Sequence, residues 1–276
     1  MPELPEVETI KNTLNKLVIG KTIESVTVKW PNIVKKPTEV EQFKDALKGQ
    51  TIHSIGRQGK FLLFYLDDLT LVSHLRMEGK YGVYDREDSL EPHTHIIFTF
   101  TDQLELRYKD VRKFGTMHLF TKGTEMTSLP LSKLGPEPFN ESFTVDYLKE
   151  RFSKTERKIK AVLLDQTVVA GLGNIYVDEV LFRTGIHPER KAHTLSTKQI
   201  TVLKEETIKT LEEAIAKGGS SIRSYVNSNG VIGMFQLTLF VYGRKDEQCK
   251  ICGSIIEKMV SAGRGTHYCP NCQKLE

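Results

Sequence analysis

No apolar run in this chain approaches the roughly 20 residues needed to cross a bilayer, so a membrane-spanning protein is not expected. Charge of one sign is equally scarce. The chain has 39 Lys plus Arg against 35 Asp plus Glu, and a net +4 permits a nucleic-acid partner without demanding one. Internal repeats and low-complexity tracts are missing, which sets aside solenoids and disordered arrays. The opening residues lack the basic-plus-apolar pattern of a secretory leader, so a reducing, cytoplasmic setting is expected. Cysteine is limited to four residues, all near the C-terminal end. The length of 276 residues exceeds the usual single core and predicts a soluble chain of two or three modules.

Those few cysteines are arranged with a purpose. Cys249-Lys-Ile-Cys252 and Cys269-Pro-Asn-Cys272 are two C-x-x-C knuckles whose spacing suits four thiolates around one Zn²⁺. A closed tetrathiolate leaves no open coordination position, so the expected role is structural. The alternative is a pair of disulfides, which a reducing compartment disfavours. Between the knuckles, Ser254 to Val260 and then Ala262-Gly263-Arg264-Gly265-Thr266 predict a β-hairpin with Gly263 and Gly265 in its turn and Arg264 at its tip.

The other end begins Met1-Pro2-Glu3-Leu4-Pro5-Glu6. Removal of Met1 would expose Pro2 as a secondary amine. An α-amino group titrates near 7.7–8.0, well below lysine, so part of it is an unprotonated nucleophile at neutral pH. Attack on a sugar C1′ would give an iminium directly, with the Glu3 carboxyl beside it to move protons. Taken alone, the same residues describe an ordinary helix start, with Pro5 tolerated in the first turn and acids favoured by the helix dipole.

Val7, Ile10, Leu14 and Leu17 follow helical spacing, and Gly20 supplies a stop. From Thr22 to about Thr121 short β-rich runs dominate, notably Phe61–Leu66, Leu69–Val72, Ile96–Phe100 and Met117–Phe120, and predict an antiparallel sandwich. Leu134-Gly-Pro-Glu-Pro-Phe139 breaks that pattern. Beyond it the chain reads as helical, with a capping box at Ser196 and Gln199 and an apolar face through Ile200, Leu203, Thr207, Leu211, Ala214 and Ile215 before Gly218-Gly219. Gly171-Leu-Gly173-Asn174 opens a further helix. Its amides suit a phosphate, though a plain helix-helix turn reads the same way. Two basic clusters, Arg107-Lys109-Arg112-Lys113 and Lys154-Arg157-Lys158-Lys160, describe either a nucleic-acid face or a solvated one.

In order along the chain stand Pro2-Glu3, Gln58-Gly-Lys60-Phe, His74-Leu-Arg-Met77, Asp110-Val-Arg112-Lys-Phe114-Gly, Gly171-Leu-Gly-Asn174 and the four-cysteine finger. With these motifs the chain resembles the formamidopyrimidine-DNA glycosylase family over essentially its whole length. The resemblance implies an α+β protein made of an N-terminal antiparallel β-sandwich, a helical helix-two-turn-helix domain and a C-terminal zinc-bound β-hairpin. It implies a monomeric bifunctional glycosylase and AP lyase of the bacterial cytoplasm, with one structural zinc, acting on double-stranded DNA that carries oxidised purines.

By that resemblance Pro2 is the Schiff-base nucleophile and Glu3 the acid/base. Lys60 contacts lesion phosphates and assists β-elimination, and Arg264 serves the δ step. His74, Asn174, Tyr242 and Lys258 match phosphate-binding positions. Met77, Arg112 and Phe114 match the residues that fill the gap left by an extruded base; chemically these are a deformable plug, a planar donor set and a wedge. His93 matches a DNA contact, with a core histidine beside His95 as its competitor. Thr155 stands where some members have lysine. Ile222, Arg223, Ser224 and Tyr225 lie where the family's lesion-capping loop lies. The implied layout is 1–133 for the catalytic sandwich, 134–145 for a linker, 146–235 for the helical domain and 236–276 for the zinc finger. Two rivals remain at this stage: an endonuclease VIII-like glycosylase for oxidised pyrimidines, and a zinc-finger DNA-binding protein without catalysis.

Overall fold

The computed structural model describes residues 1–220 and 233–275. The chain folds as two compact units, Met1–Ser132 with Gly218–Gly233, and Lys133–Lys217 with Met234–Glu276.

In the first unit, helix α1 (Leu4–Val18) buries Val7, Ile10, Leu14 and Val18, and Gly20 follows it with φ +78°. Pro5 falls in the first turn, where its missing N–H costs no helical bond. After β1 (Ile23–Val28) and β2 (Val34–Lys36), the chain forms helix α2 (Val40–Leu47). This helix interrupts a region whose sequence reads as strands throughout. Phe43 and Leu47 are its buried side chains, and so short an amphipathic segment is held by the core more than by its own propensity. The remaining strands are β3 (Ser54–Gln58), β4 (Phe61–Tyr65), β5 (Leu69–His74), β6 (Lys80–Asp85), β7 (Thr94–Phe100), β8 (Leu104–Lys109) and β9 (Thr116–Thr121).

These strands make a four-stranded sheet in the order β1-β7-β8-β6 and a five-stranded sheet in the order β2-β9-β5-β4-β3. Pairing is antiparallel except for the short β2 beside β9. One apolar core joins both sheets and both helices, with Leu62, Phe64, Leu71 and Met117 from one sheet and Val26, Ile96, Phe98 and Leu106 from the other. The result is a β-sandwich with α1 and α2 sharing its core.

The second unit carries α3 (Val145–Ser153), α4 (Ile159–Leu164), α5 (Asn174–Arg183), α6 (Thr197–Ala216), β10 (Glu257–Ser261) and β11 (Arg264–Tyr268). Thr144 caps α3, its hydroxyl accepting from Tyr147 N at 3.0 Å, and Ser196 with Gln199 forms the capping box of α6. Helix α5 is buried continuously from Tyr176 to Phe182, so it runs as the spine of this unit. The β10–β11 hairpin turns at Ala262-Gly263, with φ of 52° and 67°. Gly265 is therefore outside the turn, paired with Val260 in the ladder. A type I′ hairpin turn needs left-handed backbone at both central positions, and Ala262-Gly263 supply it. At Gly265 a β-carbon would come within 3.1 Å of Lys258 Cε, so glycine there leaves room for a lysine stem.

Candidate nucleic-acid interface and metal centre

The N-terminal motif of the first unit sits at the mouth of α1. Pro2 and Glu3 are buried, and Glu3 N–H donates to Glu6 Oε2 at 2.8 Å. Glu6 Oε1 also accepts from Ser220 N at 2.7 Å and from the Ser220 hydroxyl at 3.2 Å. One buried carboxylate thus binds the residue after Pro2 to the residue that precedes 221–232. Two positions on, Glu8 Oε2 accepts from Arg57 Nε at 2.7 Å, and Arg57 Nη1 donates to Gly59 O at 3.0 Å. Gly59 and Lys60 form the two-residue turn between β3 and β4, so the lysine is carried on a loop bonded to the helix that begins after Glu3. Lys60 itself is buried.

His74 ends β5 opposite Phe61, with their rings edge-on at 4.5 Å. Burial, reinforced by the Arg76 and Lys60 charges, lowers its pKa to about 3. The ring is therefore neutral, and because Nδ1 accepts from Arg76 N at 2.9 Å, Nε2 carries the proton and is the donor.

Met77 and Phe114 are among the large apolar side chains left in the open, 38% and 52% exposed. Each follows a residue in the left-handed region, Arg76 at φ 53° and Lys113 at φ 59°. Such backbone is costly for a residue with a side chain and persists where its surroundings impose it. Buried Asp110 supplies that constraint at the second turn, accepting from Arg112 N at 3.1 Å and from Gly115 N at 2.8 Å. The Arg112 guanidinium lies over the Phe114 ring at 4.8 Å. His93 is exposed, with φ 64°, and its carbonyl accepts from Asp110 N; the core histidine is His95, whose Nε2 bonds to Asp110 O at 2.9 Å.

The second unit gathers its candidate residues around β11. Asn174 Nδ2 donates to Gly265 O at 2.9 Å, the Tyr242 ring meets His267 edge-on at 5.0 Å, and Lys258 pairs with His267 across the hairpin. Arg264, exposed, begins the same strand. Asn174 is the first residue of α5, and its turn is held by Gln166, whose side chain accepts from Gly171 N at 3.0 Å and donates to Leu172 O at 2.8 Å.

Two adjacent acids of α5 do the rest of the positioning. Glu179 accepts from the backbone N–H of Phe240, Val241 and Tyr242 at 2.8, 2.9 and 2.9 Å; burial nonetheless raises its pKa. Asp178 accepts from His267 N at 2.9 Å and from Lys160 Nζ at 2.6 Å, a pair with no solvent exposure at either end. Consecutive acids inside the apolar run Ile175-Tyr-Val-Asp-Glu-Val-Leu-Phe182 are the sequence signal that could have found them.

The basic clusters turn out to be largely neutralised from within. Arg107 is buried against Glu105, Lys109 pairs with Glu91, Lys154 with Glu150, Arg157 with Asp165 and Lys158 with Glu189. Thr155 accepts from Arg157 through its hydroxyl. Ile222, Arg223, Ser224 and Tyr225 lie outside the described residues.

Cys249, Cys252, Cys269 and Cys272 bring all four Sγ atoms within 4.8 Å of one another. Cys249–Cys272 and Cys252–Cys269 are 3.9 and 3.5 Å apart, far longer than a disulfide bond. They match the ~3.8 Å edge of a tetrahedron with 2.3 Å Zn–S bonds. The donor set fits one structural zinc, and the residues that would hold it are these four thiolates.

Comparison with known proteins agrees with this geometry. Family models match residues 1–117 as the formamidopyrimidine-DNA glycosylase N-terminal domain, 134–226 as the H2TH domain of the same glycosylase, and 246–275 as the zinc finger found in FPG and IleRS. The chain is 64% identical to the formamidopyrimidine-DNA glycosylase of Bacillus licheniformis over 99% of this chain and 100% of that one. It is 62% identical to the Bacillus subtilis protein, covering 99% of each. Among solved structures, Lactococcus lactis Fpg bound to abasic-site DNA superposes with a TM-score of 0.93 at 45% identity, covering 99% of both chains. The complex of the same protein with N7-benzyl-Fapy-dG DNA superposes at 0.92 and 45%, covering 99% and 100%.

Proposed function

The chain belongs to the formamidopyrimidine-DNA glycosylase family, and from that premise we propose that it removes oxidised purines from duplex DNA and then cleaves the abasic strand. It acts as a monomer in the bacterial cytoplasm. Pro2, freed of Met1, attacks C1′ as the unprotonated amine; the base leaves and an iminium links enzyme to sugar. Glu3 passes protons as the ring opens, Lys60 assists β-elimination and Arg264 the δ step. His74, His93, Asn174, Tyr242 and Lys258 hold phosphates, and Ile222, Arg223, Ser224 and Tyr225 cap the lesion. Residues 1–133, 134–145, 146–235 and 236–276 serve as catalytic sandwich, linker, helical domain and zinc finger.

The observation that carries this reading is the pair of open apolar side chains, Met77 and Phe114, on turns with left-handed backbone, with Arg112 stacked on Phe114. A plug, a wedge and a planar donor suit a duplex from which a base has been rotated.

Borohydride trapping on abasic DNA followed by peptide mapping tests the chemistry, and the cross-link should fall on the peptide starting at Pro2. Full trapping by protein that retains Met1 would sink it, because an acylated amine forms no imine. An 8-oxoguanine:cytosine duplex should be cut in preference to one carrying thymine glycol. The reverse preference would mark an oxidised-pyrimidine enzyme.

A further inference from the structure

Met77 and Phe114 lie on different turns, one between β5 and β6 and the other between β8 and β9, yet both turns close on the same atom. Tyr108 is fully buried near the end of β8, with its ring tilted against Tyr81 at 5.1 Å. Its hydroxyl fills the space into which a side chain at Gly79 or Gly115 would project. An ideal β-carbon would lie 2.4 Å from that oxygen and 2.6 Å from Leu75 O at Gly79, and 1.7 Å from the same hydroxyl at Gly115. Neither glycine adopts a left-handed backbone, so close approach is what excludes a side chain there. The hydroxyl also stands 3.4 Å from Asp110 Oδ2, the atom that accepts from Gly115 N. Gly79 in turn donates to Leu75 O at 2.9 Å, closing the turn that presents Met77.

We propose that Tyr108 is a positioning residue for base extrusion: its hydroxyl is the shared stop on which both turns seat, so that Met77, Arg112 and Phe114 enter the duplex together. This rests on the gap-filling reading of those three residues. Being buried, Tyr108 touches no DNA. It acts by holding two exposed loops in one register, as insertion into a base step requires. Loosening that register hurts most where a paired base must be unstacked, and least where the site is already open.

The test is Tyr108→Phe, which keeps the ring against Tyr81 and removes only the hydroxyl. Single-turnover excision from an 8-oxoguanine:cytosine duplex should fall by about three- to tenfold, the scale of one buried hydrogen-bonding group. Strand cleavage at a preformed abasic site should fall by less than about twofold. Both rates are read from one preparation, so a lowered folded fraction cancels and a merely structural role leaves their ratio unmoved. Gly115→Ala, whose β-carbon would meet only the Tyr108 and Asp110 side chains, crowds the same hydroxyl, should move the ratio in the same direction and serves if Tyr108→Phe folds poorly. Met77→Ala and Phe114→Ala are run beside them. A ratio shift in these two but in neither Tyr108→Phe nor Gly115→Ala overturns the role of Tyr108 and leaves gap filling intact. No shift in any of the four overturns both.

Discussion

Met77 and Phe114 stand on turns above an apolar core, whereas Lys258 and Arg264 stand on a hairpin held by buried carboxylates and four thiols. In the sandwich unit the restraint is diffuse: many aliphatic and aromatic contacts share the load, and Arg76, His93, Gln103 and Lys113 hold left-handed backbone on top of it. In the helical unit the restraint is concentrated. Glu179 alone satisfies three consecutive amides, and Asp178 alone joins Lys160 to the backbone of β11. Loss of one apolar contact from a dense core is tolerated by partial collapse, but an unpaired buried charge has no such relief. The helical unit is therefore the more brittle of the two.

Metal removal should break the comparison most openly. Stripping zinc with a chelator should abolish DNA binding and strand cleavage by disordering the hairpin that carries Arg264, while amide protection in β4 and β5 persists. Hydrogen exchange read unit by unit checks this, and a metal-free protein with full cleavage activity would refute it.

Next in size is the buried ion pair. Asp178→Asn leaves Lys160 charged and without its carboxylate, and should cost roughly 3–5 kcal/mol in urea unfolding. The double substitution Lys160→Met with Asp178→Leu should recover most of that stability, yet still lack the acceptor for His267 N. Stability and DNA affinity should then part company. If the double variant binds DNA as the native protein does, Asp178 has no positioning role.

The sandwich unit should respond to pH through His74. Its pKa falls from 6.5 when unfolded to about 3 when folded, so between those values the unfolded chain binds the extra proton and stability rises with pH. The contribution is fully present above 6.5 and lost as pH drops toward 3. Between pH 7 and pH 5 this one group should weaken the fold by about 2 kcal/mol, which His74→Gln should remove. Equal pH slopes in both proteins would contradict the buried, neutral ring.

The smallest effect should come from the surface. Lys154 and Glu150 form an exposed i,i+4 pair, and Lys154→Ala should change stability by less than about 0.5 kcal/mol. A large loss of DNA affinity in that variant would show that its cluster meets phosphate despite the pairing.

Helix α1, the strands β4, β5, β7 and β9, the capped start of α6 and the four-cysteine cluster were legible in the sequence, because each rests on residue type in a regular or characteristic spacing. Helix α2 was not: it is an eight-residue segment in a β-rich stretch, held by buried Phe43 and Leu47 with Val40 packed beside them. The turn of the hairpin was misread because two glycines stood near it and only register decides which one bends. Among the site residues, Arg112 and Phe114 were recognisable as chemistry and Asp110 as the head of their motif, but its role as their support was not, and Tyr108 was an ordinary letter near a strand end.

By itself the sequence determined the periodic elements, the metal ligands, and the order of motifs that places this chain in its family, all of which rest on residue type and short spacing. The tertiary structure alone decided which charges are spent inside the protein. Lys160 reads as one more cation in a basic run and is in fact sealed against Asp178, because only the packing of α4 on α5 selects which acid a lysine of that run meets. It alone also decided that one tyrosine hydroxyl lies against two glycines 36 positions apart, since a contact of that kind exists only after the strands between them have paired.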